Sequence, residues 1–381
     1  MSELEKLLIG VEVEWKSLEN VCSVLKGKQL NKTELTELGD YPAYNGGTNY
    51  SGFTNKFNVD KNTTIISQGG ASAGFVQFIK RKFWANAHCY YLKPDIDVVE
   101  NKYVYYFVKN KQSNLTNFQF GAGIPALKSD VIKRLQIPIP SSNDPEKSLK
   151  IQKEIVRILD AFTALTTELT TALTTELTAR KKQYEYYREQ LLTFDENIGF
   201  DSLENLAENL NSKRKPIASG LRESGDIPYY GASGIVDYVK NYIFDGDYLL
   251  ISEDGANLLA RKTPIAFSIS GKSWVNNHAH ILKFETYVER RFVEYYLNSI
   301  DLTPYISGAA QPKLNKRNLN SIKIPDPSFN DKQRIVDILD KFDVLTTSIS
   351  EGLPKEIELR QKQYEYYRNK LLTFPKDTVE V

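Results

Sequence analysis

The heptapeptide KQYEYYR occupies Lys182–Arg188 and returns unchanged at Lys362–Arg368 in a chain of 381 residues. A few residues later, both copies run into the tetrapeptide LLTF. Upstream of them, IVRILDAF at Ile155–Phe162 returns as IVDILDKF at Ile335–Phe342. All these matches share an offset of 180 residues. Self-similarity at one fixed offset is typical of a molecule built from two equivalent halves.

Between these stretches the two halves share only a skeleton of Pro, Gly, Trp and His positions. The weaker matches pair 15–21 with 200–206, 41–44 with 227–230, 65–71 with 250–256, 83–88 with 273–278, and 121–140 with 308–327. The order is therefore divergent domain, similar helix, divergent domain, similar helix. Two related modules that read two different targets would show this pattern. Duplication followed by drift is the alternative, but drift alone does not explain why KQYEYYR was spared.

The stretch IVRILDAFTAL at Ile155–Leu165 has apolar side chains in steps of three and four, which predicts an apolar stripe along a helix. Such a stripe flanked by charges is compatible with a coiled-coil seam. The tract LTTELTTALTTEL that follows keeps its leucines in steps of four. We therefore expect the helix to continue, although threonine is a mediocre helix former. From residue 149 to residue 192 such a helix would be about 65 Å long.

The second helix lacks the TTEL tract and carries Gly352 and Pro354 instead. These two residues predict a break, with Pro354 in the first turn of a restarted helix. Because the repeat suggests pseudo-two-fold symmetry, we expect the two helices to pack antiparallel as a coiled coil. The N-terminal SELEKLLIG resembles the exit of the first helix, which indicates a circular repeat. The predicted segments are 1–145 and 196–330 for the domains, and 146–195 and 331–381 for the helices.

Within the domains, strand-like runs such as TTIIS, FVQFI and DYLLIS alternate with helix-like YVYYFV and RRFVEYYL, which predicts a mixed α/β fold. Tyr (23) and Phe (18) are abundant while Met (1) and His (3) are scarce, so aromatic side chains should fill much of the core. No apolar run reaches the roughly 18 residues that a membrane span needs. Cys22 and Cys89 are too few for a disulfide framework, so we expect a cytoplasmic protein.

Two short motifs imitate ligand sites. The sequence SISGKSW at Ser268–Trp274 contains GKS, but the glycine that a phosphate-binding loop needs five positions earlier is Ala266. His278 and His280 lie two residues apart on a predicted strand, without the Cys or carboxylate cluster of a metal site nearby. We find neither a methyltransferase-type Asn-Pro-Pro-Tyr loop nor a repeated nucleophile–base pair. We therefore expect no catalysis by this chain and no metal in it.

With a divergent domain and a repeated helix alternating twice, and with KQYEYYR and LLTF closing both halves, the chain resembles the specificity subunit of type I restriction–modification systems. The resemblance covers essentially the whole chain, and the TTEL-type repeats are similar to a feature of that family. It implies that each divergent domain is a target-recognition domain for one half of a bipartite DNA site. It also implies that the two helices act as a ruler between the half-sites.

The same resemblance implies partners. The helices would dock two modification subunits, which are adenine-N6 methyltransferases, and restriction subunits would add ATP-dependent translocation and cleavage. S-adenosylmethionine, ATP and Mg would then belong to the partners, and this chain would need no cofactor. Adding or removing one TTEL unit would change the helix length by about 6 Å and the relative rotation by about 40°, in agreement with a ruler. The net charge of +1 keeps an alternative open, an elongated coiled-coil scaffold that presents two related protein-binding domains.

Double-stranded DNA is contacted by Lys, Arg and Gly-rich turns at its phosphates, and by Asn, Gln, Arg and Ser at its bases. In the first domain the candidates are Lys26, Lys28, Gln29, Asn31, Lys32, Asn45, Gly46, Gly47, Gln68, Lys80, Arg81 and Lys82. In the second domain they are Lys213, Arg214, Lys215, Tyr230, Ser233, Arg261, Lys262, Lys313, Lys316 and Arg317. Three places match between the halves: the Lys-rich run after SLEN, the Tyr-then-Gly turn, and the Gly-containing loop after the Ile-Ser strand end.

On the helices, the candidates for contact with the modification subunits lie on one stripe in each copy of the repeat. They are Tyr184, Tyr187, Arg188 and Leu191 in the first copy, and Tyr364, Tyr367, Arg368 and Leu371 in the second. Packing of the two helices against each other is the alternative role for these side chains.

Overall fold

The structure is a computed structural model that describes residues 3–117, 125–195, 197–308, 311–348 and 350–374. The chain separates into two compact units, one made of residues 1–172 with 357–381 and the other of residues 173–356. Each unit therefore combines one divergent domain with the start of the helix that follows it and the end of the other repeated helix. The four segment boundaries predicted from the sequence stay a prediction.

The first domain alternates short strands and helices, as its sequence predicts. Its elements are α1 (Glu3–Leu8), β1 (Val13–Ser17), β2 (Cys22–Lys26), β3 (Tyr41–Tyr44), β4 (Gly52–Thr54), β5 (Thr63–Ser67), β6 (Val76–Ile79), β7 (Trp84–Ala85), β8 (Cys89–Pro94), α2 (Asn101–Asn110), α3 (Gln112–Asn117), α4 (Ser129–Lys133) and β9 (Gln136–Pro140). The long helix α5 (Pro145–Leu192) follows.

The second domain repeats this order. Its elements are β10 (Phe200–Ser202), α6 (Leu203–Leu206), β11 (Glu208–Asn209), β12 (Ser224–Gly231), β13 (Gly234–Val239), β14 (Phe244–Asp245), β15 (Tyr248–Ser252), α7 (Asn257–Ala260), β16 (Ala266–Ile269), β17 (Lys272–Val275), β18 (Ala279–Lys283), α8 (Tyr287–Ser299), α9 (Lys316–Asn320) and β19 (Lys323–Pro325). Helices α10 (Phe329–Thr347) and α11 (Leu353–Leu372) close the chain.

The sheets of the two domains have the same topology. The order β2-β8-β5-β6 in the first domain matches β11-β18-β15-β16 in the second, and β4-β3-β7 matches β13-β12-β17, to which β14 is added. The first and last strands of each domain also pair antiparallel, β1 with β9 and β10 with β19. The mixed α/β fold and the internal repeat predicted from the sequence are confirmed.

Each domain contains a core between its two larger sheets. In the first domain this core includes Ile65 on β5 and Cys89 on β8. In the second domain the equivalent core includes Leu250 on β15 and Ile281 on β18. Successive side chains of a strand point to opposite faces of its sheet. Leu249, next to Leu250, therefore packs in a different core on the other face.

That second core in each unit joins the domain to the long helices. In the first unit Tyr103 on α2 packs with Ile155 on α5 and Leu372 on α11. Phe292 on α8 packs in the same way in a cluster that includes Leu339 on α10. The cluster of the first unit also contains Leu4 of α1. The start of the chain therefore packs with the end of α11, as the circular repeat predicts.

Helix α5 continues through the threonine-rich tract without a break. Threonine hydroxyls donate to the carbonyl oxygen four residues earlier, from Thr167 to Thr163 at 2.7 Å and from Thr170 to Thr166 at 2.8 Å. This bonding satisfies each hydroxyl inside the helix that carries it. The helix is 48 residues long, which corresponds to about 72 Å.

The apolar seam of α5 differs from the predicted one. Leu165 and Leu169 are 53% and 38% exposed, whereas Thr166 and Thr170 are half-buried. Leucines in steps of four advance by about 40° per repeat around a helix of 3.6 residues per turn, so they cannot all stay on one contact line. The antiparallel coiled coil as a whole stays a prediction.

The second repeated helix breaks where the sequence predicts. Helix α10 ends at Thr347 and α11 begins at Leu353, with Pro354 in its first turn. Gly352 has a φ of 83°, which a residue with a side chain rarely adopts. A Cβ there would collide with the carbonyl oxygen of Val344, so the turn requires glycine.

Over the described residues, no helix is both long enough and apolar enough to cross a bilayer.

Candidate nucleic-acid interface

A segment of five residues lies at the matched place in each domain. We call Trp84–His88 and Trp274–His278 the Trp–Asn–His segments. Each begins on a short strand, β7 or β17, and ends in a turn before the next strand, β8 or β18. Four loops of each domain lie beside this segment. Each is hydrogen-bonded either to the segment or to a neighbouring loop.

The Lys-rich run after SLEN is the first of these loops. In the first domain the Trp84 indole N–H donates to the carbonyl oxygen of Lys28 at 2.9 Å, and the Lys28 amide donates to Ala85 at 2.9 Å. In the second domain the Trp274 indole N–H donates to the carbonyl oxygen of Lys215 at 2.6 Å. The Trp residues thus fix the lysine backbones and leave both lysine side chains exposed.

The Tyr-then-Gly turn is the second loop. Strands β3 and β12 pair parallel with β7 and β17, so that Tyr44 lies opposite Ala85 and Tyr230 opposite Val275. Gly46 follows with a φ of 80°, and a Cβ on it would stand 2.8 Å from the carbonyl oxygen of His88. Glycine is therefore required where this turn approaches the Trp–Asn–His segment.

The loop after the Ile-Ser strand end is the third. The amide of Gln68 donates to the carbonyl oxygen of His88 at 2.9 Å, and the amide of Glu253 donates to that of His278 at 2.9 Å. The preceding serine of the first domain, Ser67, donates its hydroxyl to Gly47 at 3.1 Å. This bond ties the second loop to the third.

Sequence reasoning reached the fourth segment of the interface only through Lys313 in the second domain, and it missed the counterpart in the first. The amide of Leu127 donates to the carbonyl oxygen of Gln68 at 2.7 Å, and that of Leu314 donates to Glu253 at 2.8 Å. The carbonyl of Leu127 accepts from the Tyr90 hydroxyl at 3.2 Å, as that of Leu314 bonds to the His280 ring at 2.6 Å. The signal was present in the matched stretches 121–140 and 308–327, and it places Lys313 in the interface.

Side chains at matched positions differ although the main-chain bonds agree. In the second domain Glu253 forms ion pairs with Arg214 at 2.6 Å and with Lys313 at 3.2 Å. In the first domain the matched position is Gln68, whose amide oxygen is buried without a hydrogen-bond partner among the described residues. The same backbone frame therefore surrounds a charged network in one domain and a neutral amide in the other.

Arg214 has a different role from the predicted phosphate contact. Its guanidinium is 12% exposed and also donates to the carbonyl oxygen of Ala279 at 2.7 Å. Burial opposes the charge of Glu253, but Arg214 and Lys313 outweigh it and lower the pKa of this carboxyl. Arg214 therefore neutralises the buried carboxylate of Glu253 and stabilises these loops from inside.

The two histidines of the predicted strand also have partners in these loops. Burial lowers the pKa of His280, whose ring nitrogens lie 2.7 Å from the Asn211 amide nitrogen and 2.6 Å from the Leu314 carbonyl oxygen. His278 pairs with Asp254 at 2.9 Å at the exposed edge of the loops. His280 is thus a structural residue.

The GKS sequence also has a structural place. Its Gly271 lies in the turn between β16 and β17, where the amide donates to the carbonyl oxygen of Gly246 at 2.9 Å, and Lys272 and Ser273 begin β17.

The remaining predicted DNA contacts occupy several places. The exposed members around the Trp–Asn–His segments are Lys28, Gln29, Asn31, Lys32 and Asn45 in the first domain, and Lys213, Lys215, Ser233 and Lys313 in the second. Gly46 and Gly47 form the turn that follows β3, and Tyr230 lies on β12. Lys26 is exposed on β2, and Lys80, Arg81 and Lys82 form the turn before β7.

Four predicted contacts of the second domain lie elsewhere. Arg261 donates to the carbonyl oxygen of Ile300 at 2.8 Å, and with Lys262 it lines a cavity of about 490 Å³ beside Tyr184. Lys316 and Arg317 begin α9 and line a depression with residues of β10, α6 and β19. These two places adjoin the long helix and the strand pair that closes the domain, rather than the Trp–Asn–His segment.

The side chains predicted to bind partners instead pack one repeated helix against the other. The Tyr364 hydroxyl lies 3.0 Å from that of Thr163, and the Tyr367 ring centroid lies 5.6 Å from that of Phe162. In the other unit, Tyr184 and Tyr187 pack on Phe342, with centroids 6.1 and 5.7 Å away. Arg188 and Arg368 lie over the rings of Tyr184 and Tyr364, and Leu191 and Leu371 join the cores. Packing between the repeated helices is therefore observed, and contact of these side chains with the modification subunits stays a prediction.

The middle tyrosine of each KQYEYYR copy has a different environment. Tyr186 and Tyr366 are 60% and 62% exposed, nearly the same value in the two copies. Sequence reasoning had passed over both residues, because the stripe argument selected their buried neighbours.

Comparison with known proteins agrees with this two-fold construction. A family model described as type I restriction modification DNA specificity domain matches the chain twice, over residues 10–179 and 197–359. The EcoR124I/EcoR124II type I restriction enzyme specificity subunit of Escherichia coli is 35% identical over 99% of this chain and 98% of its own length. The EcoprrI specificity subunit of Escherichia coli is 34% identical over 92% of each chain.

A solved structure has the same fold. The S subunit of a type I restriction–modification system from M. genitalium matches with a TM-score of 0.54 and 23% identity, over 99% of this chain and 100% of that one. Another chain, from a structural study of complex assembly and conformational transition of the type I R-M system, matches with a TM-score of 0.58 and 15% identity. That match covers 94% of this chain and 97% of the other.

Proposed function

The chain belongs to the type I restriction modification DNA specificity family, and we propose that each of its domains reads one half of a bipartite site in double-stranded DNA. The observation that carries the proposal is the pair of Trp–Asn–His segments. Equivalent main-chain hydrogen bonds hold four loops around each of them, while the side chains at matched loop positions differ. A constant frame with changed side chains is what two readers of different sequences need.

Phosphate contacts come from the lysines that the Trp indoles position. Lys28 and Lys215 are exposed at matched places, and Lys32 and Lys213 lie close to them in sequence. Their positive charges meet the DNA backbone and set the register of each domain. Polar loop residues beside them, such as Asn45 and Ser233, are placed to contact base edges.

The repeated helices determine the distance between the half-sites. Helix α5 is 48 residues long and includes the TTEL tract, whereas α10 and α11 are separated by the turn at Gly352. Half-sites one turn of DNA apart are about 34 Å from each other, well within the roughly 72 Å of α5. The number of residues in α5 therefore sets the length of the undefined gap.

Two modification subunits dock on the repeated helices at equivalent places. Tyr186 and Tyr366 occupy the same position of the two KQYEYYR copies and expose nearly the same fraction of their side chains. Exposed tyrosines are frequent binding-energy contributors at protein interfaces. Changing both to alanine should weaken co-purification with the modification subunits, whereas changing Tyr242, which is 46% exposed in the second domain, should not.

Chemistry is supplied by the partners. Methyl transfer with S-adenosylmethionine belongs to the modification subunits, and ATP- and Mg-dependent translocation and cleavage belong to the restriction subunits. The present chain contributes sequence choice and acts in the cytoplasm. Its two cysteines are free and buried, which suits a reducing compartment.

Sequencing of methylated adenines tests the proposal. A host that expresses the modification subunit is compared with and without this chain. We expect a gene-dependent motif with two short defined halves and a fixed undefined gap. A methylation pattern that is the same in both strains, with both proteins expressed, contradicts the proposal.

A salt series separates DNA reading from the scaffold alternative. DNA affinity of the assembled complex should fall steeply with salt because lysine–phosphate contacts release counterions. Changing Lys28 and Lys215 together to alanine should reduce the salt slope by about 2, one for each phosphate that is no longer neutralised. A slope that is the same in both proteins shows that these lysines do not face phosphates.

A further inference from the structure

The aspartate of each ILD sequence connects a recognition domain to a long helix. Asp160 of α5 forms an ion pair with Lys102 of α2 at 2.6 Å and accepts from the Tyr106 hydroxyl at 2.6 Å. Tyr106 also lies 3.2 Å from the Thr163 hydroxyl, which in turn lies 3.0 Å from that of Tyr364. We call these residues the Asp160 cluster. It joins α2, α5 and α11 within one unit.

The matched aspartate in the other unit has the same kind of neighbours. Asp340 of α10 forms an ion pair with Arg291 of α8 at 2.8 Å and accepts from Tyr295 at 2.7 Å. Tyr287 donates to its other oxygen at 2.7 Å, and Asp343 accepts from Arg291 at 3.1 Å. We call these residues the Asp340 cluster. A base, a tyrosine and an aspartate thus recur at the same place in both halves, although Lys has become Arg.

The helices that carry these bases and tyrosines are also bonded to the recognition sheet, through side chains about one turn beyond the tyrosines on the same helical face. Lys109 of α2 donates to the carbonyl oxygen of Val76 on β6 at 2.9 Å. Asn298 of α8 donates to that of Ala266 on β16 at 2.8 Å. Helices α2 and α8 therefore contact both the sheet and the long helix, and they couple the orientation of one to that of the other.

The tyrosine hydroxyls of the two clusters stay protonated. Burial, and then the hydrogen bond to Asp160, raise the pKa of Tyr106, so its hydroxyl stays a donor at neutral pH. Burial raises the pKa of Tyr295 as well, and Asp340 adds to the effect. Hydrogen bonds from these donors to a carboxylate are charge-assisted and stronger than those between neutral groups. Each cluster can therefore fix the angle between its helices, in addition to stabilising the contact between them.

We propose that Asp160 and Asp340 are positioning residues that fix the angle between each recognition domain and its long helix and thereby make the complex selective for one gap length. The inference rests on the proposed reading of a bipartite site. A loop that lies about 20 Å from the rotation axis, a typical domain dimension, moves by about 3.5 Å when the domain rotates by about 10°. This displacement is close to the roughly 3.4 Å between successive base pairs, so a loosened angle lets the complex accept a neighbouring gap length.

The test measures gap selectivity directly. The variants Asp160→Asn and Asp340→Asn, each assembled with modification subunits, methylate a DNA library that carries both half-sites with gaps from two base pairs shorter to two longer than the native one. Matched controls are Glu168→Gln on α5 and Asp337→Asn on α10, which are exposed carboxylates on the same helices. Tyr106→Phe and Tyr295→Phe provide milder variants in which the aspartate keeps its charge.

We expect the preference for the native gap over its neighbours to fall about tenfold in the aspartate variants, the change that loss of one charge-assisted hydrogen bond brings to an equilibrium. The phenylalanine variants should show a smaller fall, and the controls should behave as the wild type. A uniform loss of methylation at all gaps, with the preference intact in the phenylalanine variants, overturns the inference. A wild-type complex that ignores the half-sites contradicts the proposed function itself.

Discussion

In the first recognition domain the amide of Gln68 bonds to His88, and in the second the amide of Glu253 bonds to His278 with the same length of 2.9 Å. The side chains at these two positions nevertheless have unlike surroundings. Glu253 is neutralised by Arg214 and Lys313, whereas the oxygen of Gln68 is buried without a partner among the described residues. The main-chain frame of the loops and the side chains within it therefore vary independently, so a domain can change its target and keep its fold.

The largest effect should come from removing the guanidinium of the second domain. In Arg214→Ala, Glu253 keeps its charge at 11% exposure and loses its shortest ion pair. Breaking a buried pair by removing one partner costs on the order of 3 kcal/mol. Hydrogen exchange of β15 and β18 should report this as a lower opening free energy, while β5 and β8 of the first domain stay unchanged.

A second substitution completes a double-mutant cycle for this ion pair. Adding Glu253→Gln to Arg214→Ala reproduces the neutral side chain of the first domain and should recover most of the missing stability. Arg222→Ala is the control, because its partner Asp237 is 43% exposed and such pairs contribute less than about 1 kcal/mol. Equal losses of stability for Arg214→Ala and Arg222→Ala would show that Glu253 and its basic partners do not form a buried charge network.

The two domains should respond differently to acid. Burial lowers the pKa of His280, and Arg214 and Lys313 add to this effect. The unfolded state then binds a proton more readily than the folded one. The stabilisation is complete above the unfolded value of about 6.5 and is lost as the pH falls toward the folded value. Lowering the pH from about 7.5 through about 6.5 should destabilise the second domain, while the first, with Tyr90 at the matched position, stays unchanged.

Hydrogen exchange of β18 and β8 as a function of pH measures this difference. His280→Gln keeps a side chain that can donate to the Leu314 carbonyl but does not titrate, so it should remove the pH dependence between about 7.5 and about 6. If β18 and β8 lose protection in parallel in the wild type, the histidine does not distinguish the domains.

The smallest effect should come from removing the indole N–H of Trp84 or Trp274, and it should be the same in both domains. Trp84→Phe and Trp274→Phe each remove one indole N–H, which donates to Lys28 or Lys215. One such hydrogen bond contributes about 1 kcal/mol. Both variants should therefore show about the same decrease in stability and about the same decrease in DNA affinity on their own half-site. A large effect in one domain alone would mean that the Trp–Asn–His segments are not equivalent.

Much of this fold follows from repetition in the sequence. The helix break at Gly352, the long helix through the threonine tract and the alternating strands and helices were all predicted from local patterns. They are confirmed because they depend on short-range physics, such as the φ of 83° that only glycine adopts easily. The circular repeat was visible in SELEKLLIG, and Leu4 packs in the core that contains Leu372.

The site was less predictable because its residues are far apart in the chain. Arg214 and Lys313 both have the composition of phosphate contacts, and only the fold shows that Glu253 lies between them. The stripe through Leu165 and Leu169 was misplaced, because steps of four drift away from the contact line that packing selects. Pattern and charge identify candidates, whereas burial and pairing decide which of them are free to meet DNA.

The central claim is that two domains read separate half-sites across a gap set by α5. Deleting Thr167–Thr170 removes one tetrapeptide, which shortens the helix by about 6 Å and rotates its ends by about 40°. The most direct measurement is the adenine methylation motif of a host that carries this deletion beside that of the wild type. We predict the same two half-sites with a shorter gap. A change in either half-site, or an unchanged gap, would contradict the claim.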